Sequence, residues 1–391
     1  MAAQARPGGG FGLTVLQVLP TMDTGGVERG TVDVAAAVAA AGGTAYVASA
    51  GGALSHELTR VGAKHVALPV DTKNPLAMRR NVDRLAAAIE ALNVDVVHAR
   101  SRAPAWSARA AARKTGRPFV TTFHGTYNFS GPLKRRYNSI MASGDTVIAI
   151  SNFIRDHIVE VYGTPVERIR VIHRGVDFER LDPAAVPSAR VIQLATDWQL
   201  PDGAPVIMMP GRLTRWKGQT VFLEALAKLG RDDFVALIVG GDQGREAYNR
   251  ELRGLAEKLG VQGRVWFVGH CADMPAALML SDVVVSASTD PEAFGRVLVE
   301  AQAMGRPVIG TDHGGSRETV LPGETGWLVP PGDADELARA IDAALSLDAG
   351  ARQDMARKAE AHVRAHFDRV RMCAETLEVY REAVARGPRP A

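Results

Sequence analysis

The stretch "LTVLQVLPTMDTGGVERG" (residues 13–30) decides the architecture. Residues 13–20 are a short apolar run closed by Pro20; the paired glycines Gly25 and Gly26 follow, and residues 27–41 then take a helical composition. Strand, glycine turn and helix make the first half of a βαβ unit, whose return strand runs parallel to the first. The turn also carries chemical meaning. Glycines let a ligand approach the backbone, and a helix N-terminus offers unpaired N–H groups to an anion. Asp23 or Thr24 is placed to cap that helix. The spacing is not GxGxxG, so a dinucleotide fingerprint is absent.

Outward from this unit the pattern repeats. Further strands are expected at 44–49, 64–70, 95–99, 118–124, 145–151 and 168–177, with helices at 75–92 and 104–115. Short β-branched runs separated by helices indicate a parallel sheet. The segment "FERLDPAAVPSARV" (178–191) breaks the alternation with two prolines and is taken as a linker. The pattern resumes with strands "PVIMMPG", "FVALIVGG", "RVWFVG", "DVVVSAS", "RPVIGTD" and "GWLVPP". A helix at 217–229 shows Phe222, Ala225, Leu226 and Leu229 on one face, and Val363, Phe367, Val370, Ala374 and Leu377 keep helical spacing near the end. The fold class is therefore α/β, with two Rossmann-like, doubly wound domains facing across a cleft. The expected boundaries are 1–185 for the first domain, 186–360 for the second, and 361–391 for a C-terminal helix and disordered tail that pack back on the first domain.

Composition bounds the function. Hydrophobic residues make up 46% and charged residues 23% of 391, ordinary for a globular chain. Cys271 and Cys373 form neither a metal-ligand spacing nor a disulfide framework, which fits a reducing compartment. The first twenty residues have one basic residue and no small-residue cleavage site, so no leader is expected and the chain is placed in the cytoplasm. No uninterrupted apolar run reaches the length of a membrane span. Residues 1–190 carry 23 Lys/Arg against 15 Asp/Glu, and the remainder 23 against 28. The basic first half suits an anionic substrate or a peripheral contact with anionic lipid at the inner face of the membrane, with "PLKRRYN" (132–138) its densest patch. Nucleic acid is excluded as a partner: no binding motif accompanies the charge, and aromatics are only 6%.

Five segments are candidates for chemistry, the glycine turn being the first. In "GRLTRWKG" (211–218), Arg212 and Lys217 follow a strand and suit a diphosphate, one as a fork and the other as a point charge. In "TDPEAFGRVLVEA" (289–301), Pro291 puts Glu292 on a loop, and the helix starts near Phe294 and Gly295. The N–H groups of Arg296, Val297 and Leu298 then face the cleft and can hold phosphate, Glu292 accepts sugar hydroxyls, and Glu300 accepts a ribose. "TTFHGTY" (121–127) puts His124 at a strand's carboxyl end, and "TDHGGSRE" (311–318) brings another glycine pair to an edge. Each segment also has a plainer reading, as a tight turn, a solvated basic loop, or helix residues favoured by the dipole. No DxD occurs and no His/Cys cluster has metal spacing, so no metal is expected.

In this order the motifs resemble the family 4 glycosyltransferases of GT-B fold, from "GGVERG" to "GWLVPPGD". The likeness is strongest in "GRLTRWKG" and in "PEAFGRVLVEAQAMGRPVIGTDHGGSRETV", which looks like the family's E-x7-E region and Gly-Gly-x-x-Glu element. The resemblance implies a retaining, metal-independent transferase with no cofactor, moving a hexose-type sugar from a nucleotide diphosphate sugar. It implies that Arg212 and Lys217 hold the diphosphate, Gly25 and Gly26 contact phosphate from the opposite domain, and Glu300 binds the donor ribose. Glu292, with the Phe294 and Gly295 backbone, holds donor-sugar hydroxyls, and His124 lies near the transferred sugar and the acceptor. "GGVERGTVD" resembles members that build envelope polysaccharide, including lipopolysaccharide core, which implies a glycan or glycolipid acceptor. The alternatives are a nucleotide-sugar epimerase on the same fold, which needs an acid–base carboxylate set not seen here, a non-catalytic nucleotide-sugar binder, and a nicotinamide dehydrogenase, which lacks its glycine fingerprint.

Overall fold

The computed structural model describes residues 11–23, 25–127 and 131–389. Thr24, one of the two expected caps, lies outside them, as do residues 1–10 of the stretch judged not to be a leader. The chain divides into two units, residues 1–173 with 369–391, and residues 174–368.

Among the described residues the first unit holds seven strands: β1 Thr14–Val18, β2 Thr44–Ser49, β3 Lys64–Ala67, β4 Val96–Ala99, β5 Phe119–Phe123, β6 Thr146–Ala149 and β7 Ile169–Val171. All pairings are parallel, in the order β3-β2-β1-β4-β5-β6-β7. The central strands are buried along their whole length, which is why they read as continuous apolar runs rather than alternating ones. Local chemistry sets the helix starts. Asn74 accepts the N–H groups of Leu76 and Ala77 ahead of Pro75, and Ser151 accepts that of Ile154.

The second unit repeats the winding with six strands: β8 Val206–Pro210, β9 Val235–Val239, β10 Val265–Gly269, β11 Val283–Ser286, β12 Val308–Thr311 and β13 Gly326–Val329. The order is β10-β9-β8-β11-β12-β13, again all parallel. Its core packs Ile207, Ile238 and Val285 of the sheet against Phe222, Leu226 and Ile341 of the helices. In both sheets the winding reverses beside the first strand, between β1 and β4 and between β8 and β11. Ligands of doubly wound sheets bind beyond the carboxyl ends of the strands at such a reversal.

Both expected domain boundaries, after residues 185 and 360, fall inside the second unit. The proline-bearing segment belongs to that unit's own packing: Arg364 lies 4.5 Å over the ring of Phe178, and Arg190 forks onto Asp273 at 2.9 and 2.6 Å. The single C-terminal helix expected from the spacing is two helices, Ala349–His366 and Arg369–Arg386. The break comes at Phe367, whose carbonyl accepts the N–H of Val176 at 2.8 Å. Val370, assigned by spacing to the buried stripe, is 67% exposed. The last helix does return to the first unit, packing on the helix Gly26–Ala40 and placing Tyr380 Oη 2.6 Å from His98 Nδ1. The tail expected to be disordered is placed through Arg389, whose N–H donates to Asp145 at 3.3 Å; residues 390–391 lie outside the described residues. No helix of the described residues is long and apolar enough to cross a membrane.

Candidate functional site

In the second unit, two loops meet beyond the reversal of the sheet. The first leaves β8 as Gly211–Thr214 and tightens into a 3₁₀ turn, Arg215–Lys217, before the helix Gln219–Lys228. The second leaves β11 as residues 287–295 and enters the helix Arg296–Ala303. The Thr289 N–H donates to the Trp216 carbonyl at 2.8 Å, so backbone joins the two loops.

This join brings two predicted residues into contact. Lys217 Nζ lies 2.5 Å from Glu292 Oε1, and Ser288 Oγ donates to the same oxygen at 2.7 Å. The side chains of Lys217 and Glu292 are only 16% and 13% exposed, so water screens the pair weakly. Ser288 is fully buried, and its one signal in the sequence is its place at the carboxyl end of the strand run "DVVVSAS". Glu292 Oε2 has no hydrogen-bond partner among the described residues. Arg212 is exposed, and its guanidinium makes no hydrogen bond or ion pair among them.

The helix entry is built as expected, with adjustments. Gly295 is the N-cap at φ +85°, a left-handed conformation that side chains resist. The Leu298 N–H already donates to the Gly295 carbonyl at 3.0 Å, so it is not open to a ligand. Those of Arg296 and Val297 have no acceptor among the described residues. The side chains of Phe294 and Leu298 are core; the Phe294 ring meets Phe367 edge-on at 5.3 Å. Neither side chain can serve a ligand, and the Leu298 carbonyl is also taken, by Gln302 Nε2 at 3.1 Å. Glu300 pairs with Arg296 one turn earlier, at 3.0 Å.

The glycine pair of "TDHGGSRE" does other work than reaching outward. A Cβ on Gly315 would sit 2.5 Å from Phe294 Cα, one on Gly314 would strike the Glu292 carbonyl, and the Gly315 N–H donates to that carbonyl at 2.8 Å. The pair is the bed on which the Glu292 loop lies. A cavity of about 220 Å³ opens nearby, at the ends of β8 to β10, lined by Leu213, Gly240, Gly241, Asp242 and Phe267.

In the first unit, Gly25 and Gly26 leave the carboxyl edge at β1 and His124 at β5, with β4 between those strands. The helix Gly26–Ala40 has Gly25 as N-cap, a residue with no side chain to cap with, and Asp23 does not hold that position. The Glu28 carboxylate lies where a Cβ of Gly25 would be. The His124 N–H donates to Tyr127 Oη at 3.3 Å, and burial pushes the Tyr127 phenol up to about 12. Among the described residues no three His, Cys, Asp or Glu side chains converge as a metal site.

Two family models match the chain: "Glycosyl transferases group 1" over residues 193–362 and "Glycosyltransferase Family 4" over residues 24–180. A D-inositol 3-phosphate glycosyltransferase of Xylanimonas cellulosilytica is 34% identical over 256 residues, 64% of this chain and 60% of that protein. The chain spans 52–60% of the length of three such relatives. A solved glycosyltransferase from Rickettsia africae superposes with a TM-score of 0.88 at 38% identity, covering 95% of this chain and 99% of that one. Anabaena Alr3699/HepE, solved in complex with UDP and glucose, gives 0.83 at 26% identity, covering 95% and 100%.

Proposed function

Because the chain belongs to the family 4 glycosyltransferases, with their GT-B fold, we propose that it is a retaining hexosyltransferase that uses a nucleotide diphosphate sugar. The observation that carries this is the meeting of an unpaired Arg212, the Lys217–Glu292 pair and the entry of the helix Arg296–Ala303 at one reversal of one sheet. Diphosphate lies between Arg212, Lys217 and the N–H groups of Arg296 and Val297. There, preorganised donors stabilise the charge that grows on the leaving nucleoside diphosphate, and two fixed cations do what a divalent metal does elsewhere. When phosphate takes over Lys217, Glu292 turns its oxygens to the sugar hydroxyls, with Ser288 keeping it in place. Glu300 accepts the ribose, and the cavity lined by Leu213 and Phe267 takes the base. Glu292 orients and stabilises; the acceptor attacks the face the phosphate leaves, and that phosphate takes the acceptor's proton.

In the first unit, Gly25, Gly26 and His124 serve phosphate and the transferred sugar. The acceptor is an envelope glycan or glycolipid, reached by peripheral contact at the cytoplasmic face of a membrane. The support is the helix Pro132–Asn138, where Leu133 is 82% exposed beside Lys134, Arg135 and Arg136. Binding to vesicles rich in phosphatidylglycerol should weaken as salt rises; salt-independent binding, or none, removes the membrane contact.

A screen of nucleotide sugars by thermal stabilisation and slow hydrolysis tests the donor assignment and identifies base and sugar together. One donor class should stabilise the protein and release its nucleoside diphosphate in EDTA. Activity that needs added Mg²⁺ contradicts the metal-free mechanism, and no response to any donor contradicts the transferase.

A further inference from the structure

Between the two cations of the first loop stands Trp216, in the 3₁₀ turn Arg215–Lys217 of the second unit. Its backbone and its side chain do separate things. The Trp216 carbonyl accepts the N–H of Thr289 at 2.8 Å and the Thr289 hydroxyl at 3.3 Å, which any residue at this position could do. The side chain does what only an aromatic ring can. Lys217 Nζ lies 4.6 Å from the centre of the Trp216 ring, within the range of a cation–π contact. The ring has no competing role. Trp327 of the same unit packs on the hydrophobic core, and Trp216 does not. The Trp216 indole N–H has no acceptor among the described residues. Arg215, the other cation of the turn, is forked onto Glu251 at 2.7 and 2.6 Å and lies 4.9 Å over the Tyr248 ring.

Lys217 is therefore held by three neighbours. A Cβ on Gly211 would lie 3.7 Å from Lys217 Cδ, so the lysine stem runs across that glycine. Glu292 Oε1 meets the ammonium at 2.5 Å, and the Trp216 ring covers another flank. With so little of the side chain exposed, these neighbours stand in for the water that the charge has lost. The two electrostatic partners differ in how they treat a ligand. The carboxylate competes with phosphate for the same N–H donors and must release one when phosphate arrives. The ring attracts the charge through its quadrupole, takes no donor hydrogen and stays in place during the exchange.

We propose that Trp216 is a positioning residue of the donor site: its indole face holds the Lys217 ammonium in place while Glu292 gives it up to the donor's diphosphate. The proposal rests on the donor reading given above. The ring touches no reacting atom and acts through Lys217. Without it the ammonium has only Glu292 to settle on, and an incoming diphosphate must break that pair unaided. The ring thus serves affinity first, and turnover follows because the same ammonium faces the departing phosphate.

The test is calorimetric titration of the full chain with ADP, GDP, UDP and dTDP, and then of variants at position 216 with whichever binds most tightly. Trp216→Leu should weaken that diphosphate about five- to thirtyfold, the range of a partly to fully desolvated cation–π contact. Trp216→Phe, whose ring face attracts a cation less, should fall between Leu and wild type. Fluorinated tryptophans placed at 216 keep the ring's shape but draw charge from its face, so affinity should drop with each added fluorine. In a Lys217→Ala background, with no ammonium to hold, Trp216→Leu should cost nothing further. Unchanged affinity in Trp216→Leu overturns the proposal, and so does an equal cost with and without Lys217. Indifference to fluorine overturns it too, even if Trp216→Leu fails to fold. Each of these leaves the donor reading standing, because wild type still binds the diphosphate. A wild type that binds none of the four removes the donor reading, and this proposal with it.

Discussion

Glu292 and Lys217 are 75 positions apart, yet share one nearly buried contact with Ser288. The sequence suggested separate tasks, diphosphate for the lysine and sugar for the glutamate; the structure adds that each holds the other in shape. Glu292→Gln keeps the size but loses the charge, and should lower turnover by roughly 10²-fold with little change in nucleoside diphosphate affinity. Rate measurements beside a binding titration separate the two, and loss of nucleotide binding alone would remove Glu292 from the sugar. Ser288→Ala, which removes one hydrogen bond to a charged group, should cost about 1.5–3 kcal/mol of transition-state stabilisation at most. Residues that act as a unit are non-additive, so Lys217→Ala and Glu292→Gln together should lose less than the sum of the two losses. Strict additivity in the double-mutant cycle would mean the contact plays no part in turnover.

At the scale of elements, each of the thirteen strands among the described residues lies inside a run read as a strand. They were legible because strands covered on both faces are apolar throughout and are fenced by glycine and proline. Places where tertiary contact overrides local pattern were not legible. Phe367 carries a helical spacing, but its carbonyl is taken by Val176 and its ring by Phe294. The glycines 314 and 315 look like a ligand turn, and only the fold shows that the Glu292 loop lies on them. The loop position of Glu292 and the start of its helix followed from Pro291 and Gly295. The Lys217–Glu292 contact needed the sheet order, which sets β8 beside β11. Gly315→Ala should destabilise the second unit by about 1–3 kcal/mol, because the new methyl meets Phe294 backbone, which cannot rotate away. A thermal midpoint equal to wild type would show that the loop yields easily.

Across the whole molecule, buried histidines set an acid limit. His98 is fully enclosed between Tyr380 and Thr122, and burial holds its pKa well below the ordinary 6.5. Burial lowers His157 and His362 too. The unfolded chain takes up protons near pH 6.5 that the folded one refuses, so this stability is complete above that pH. It falls as pH drops toward the folded values, by up to about 1.4 kcal/mol per pH unit for the fully buried His98 and by less for the other two, which water screens. Thermal midpoints between pH 7.5 and 5 should show the fall, and His98→Gln should flatten it; an unchanged slope would acquit His98. The same winding is used twice, and the reversal of the second sheet carries the residues proposed to hold the donor. The most direct measurement is nucleoside diphosphate release from the preferred nucleotide sugar, in EDTA, by wild type, Arg212→Ala and Lys217→Ala. Steady release by wild type and a loss of roughly 10²–10³-fold in each variant is the expected result. Near-normal release by both variants would contradict the claim that these two cations hold the departing diphosphate.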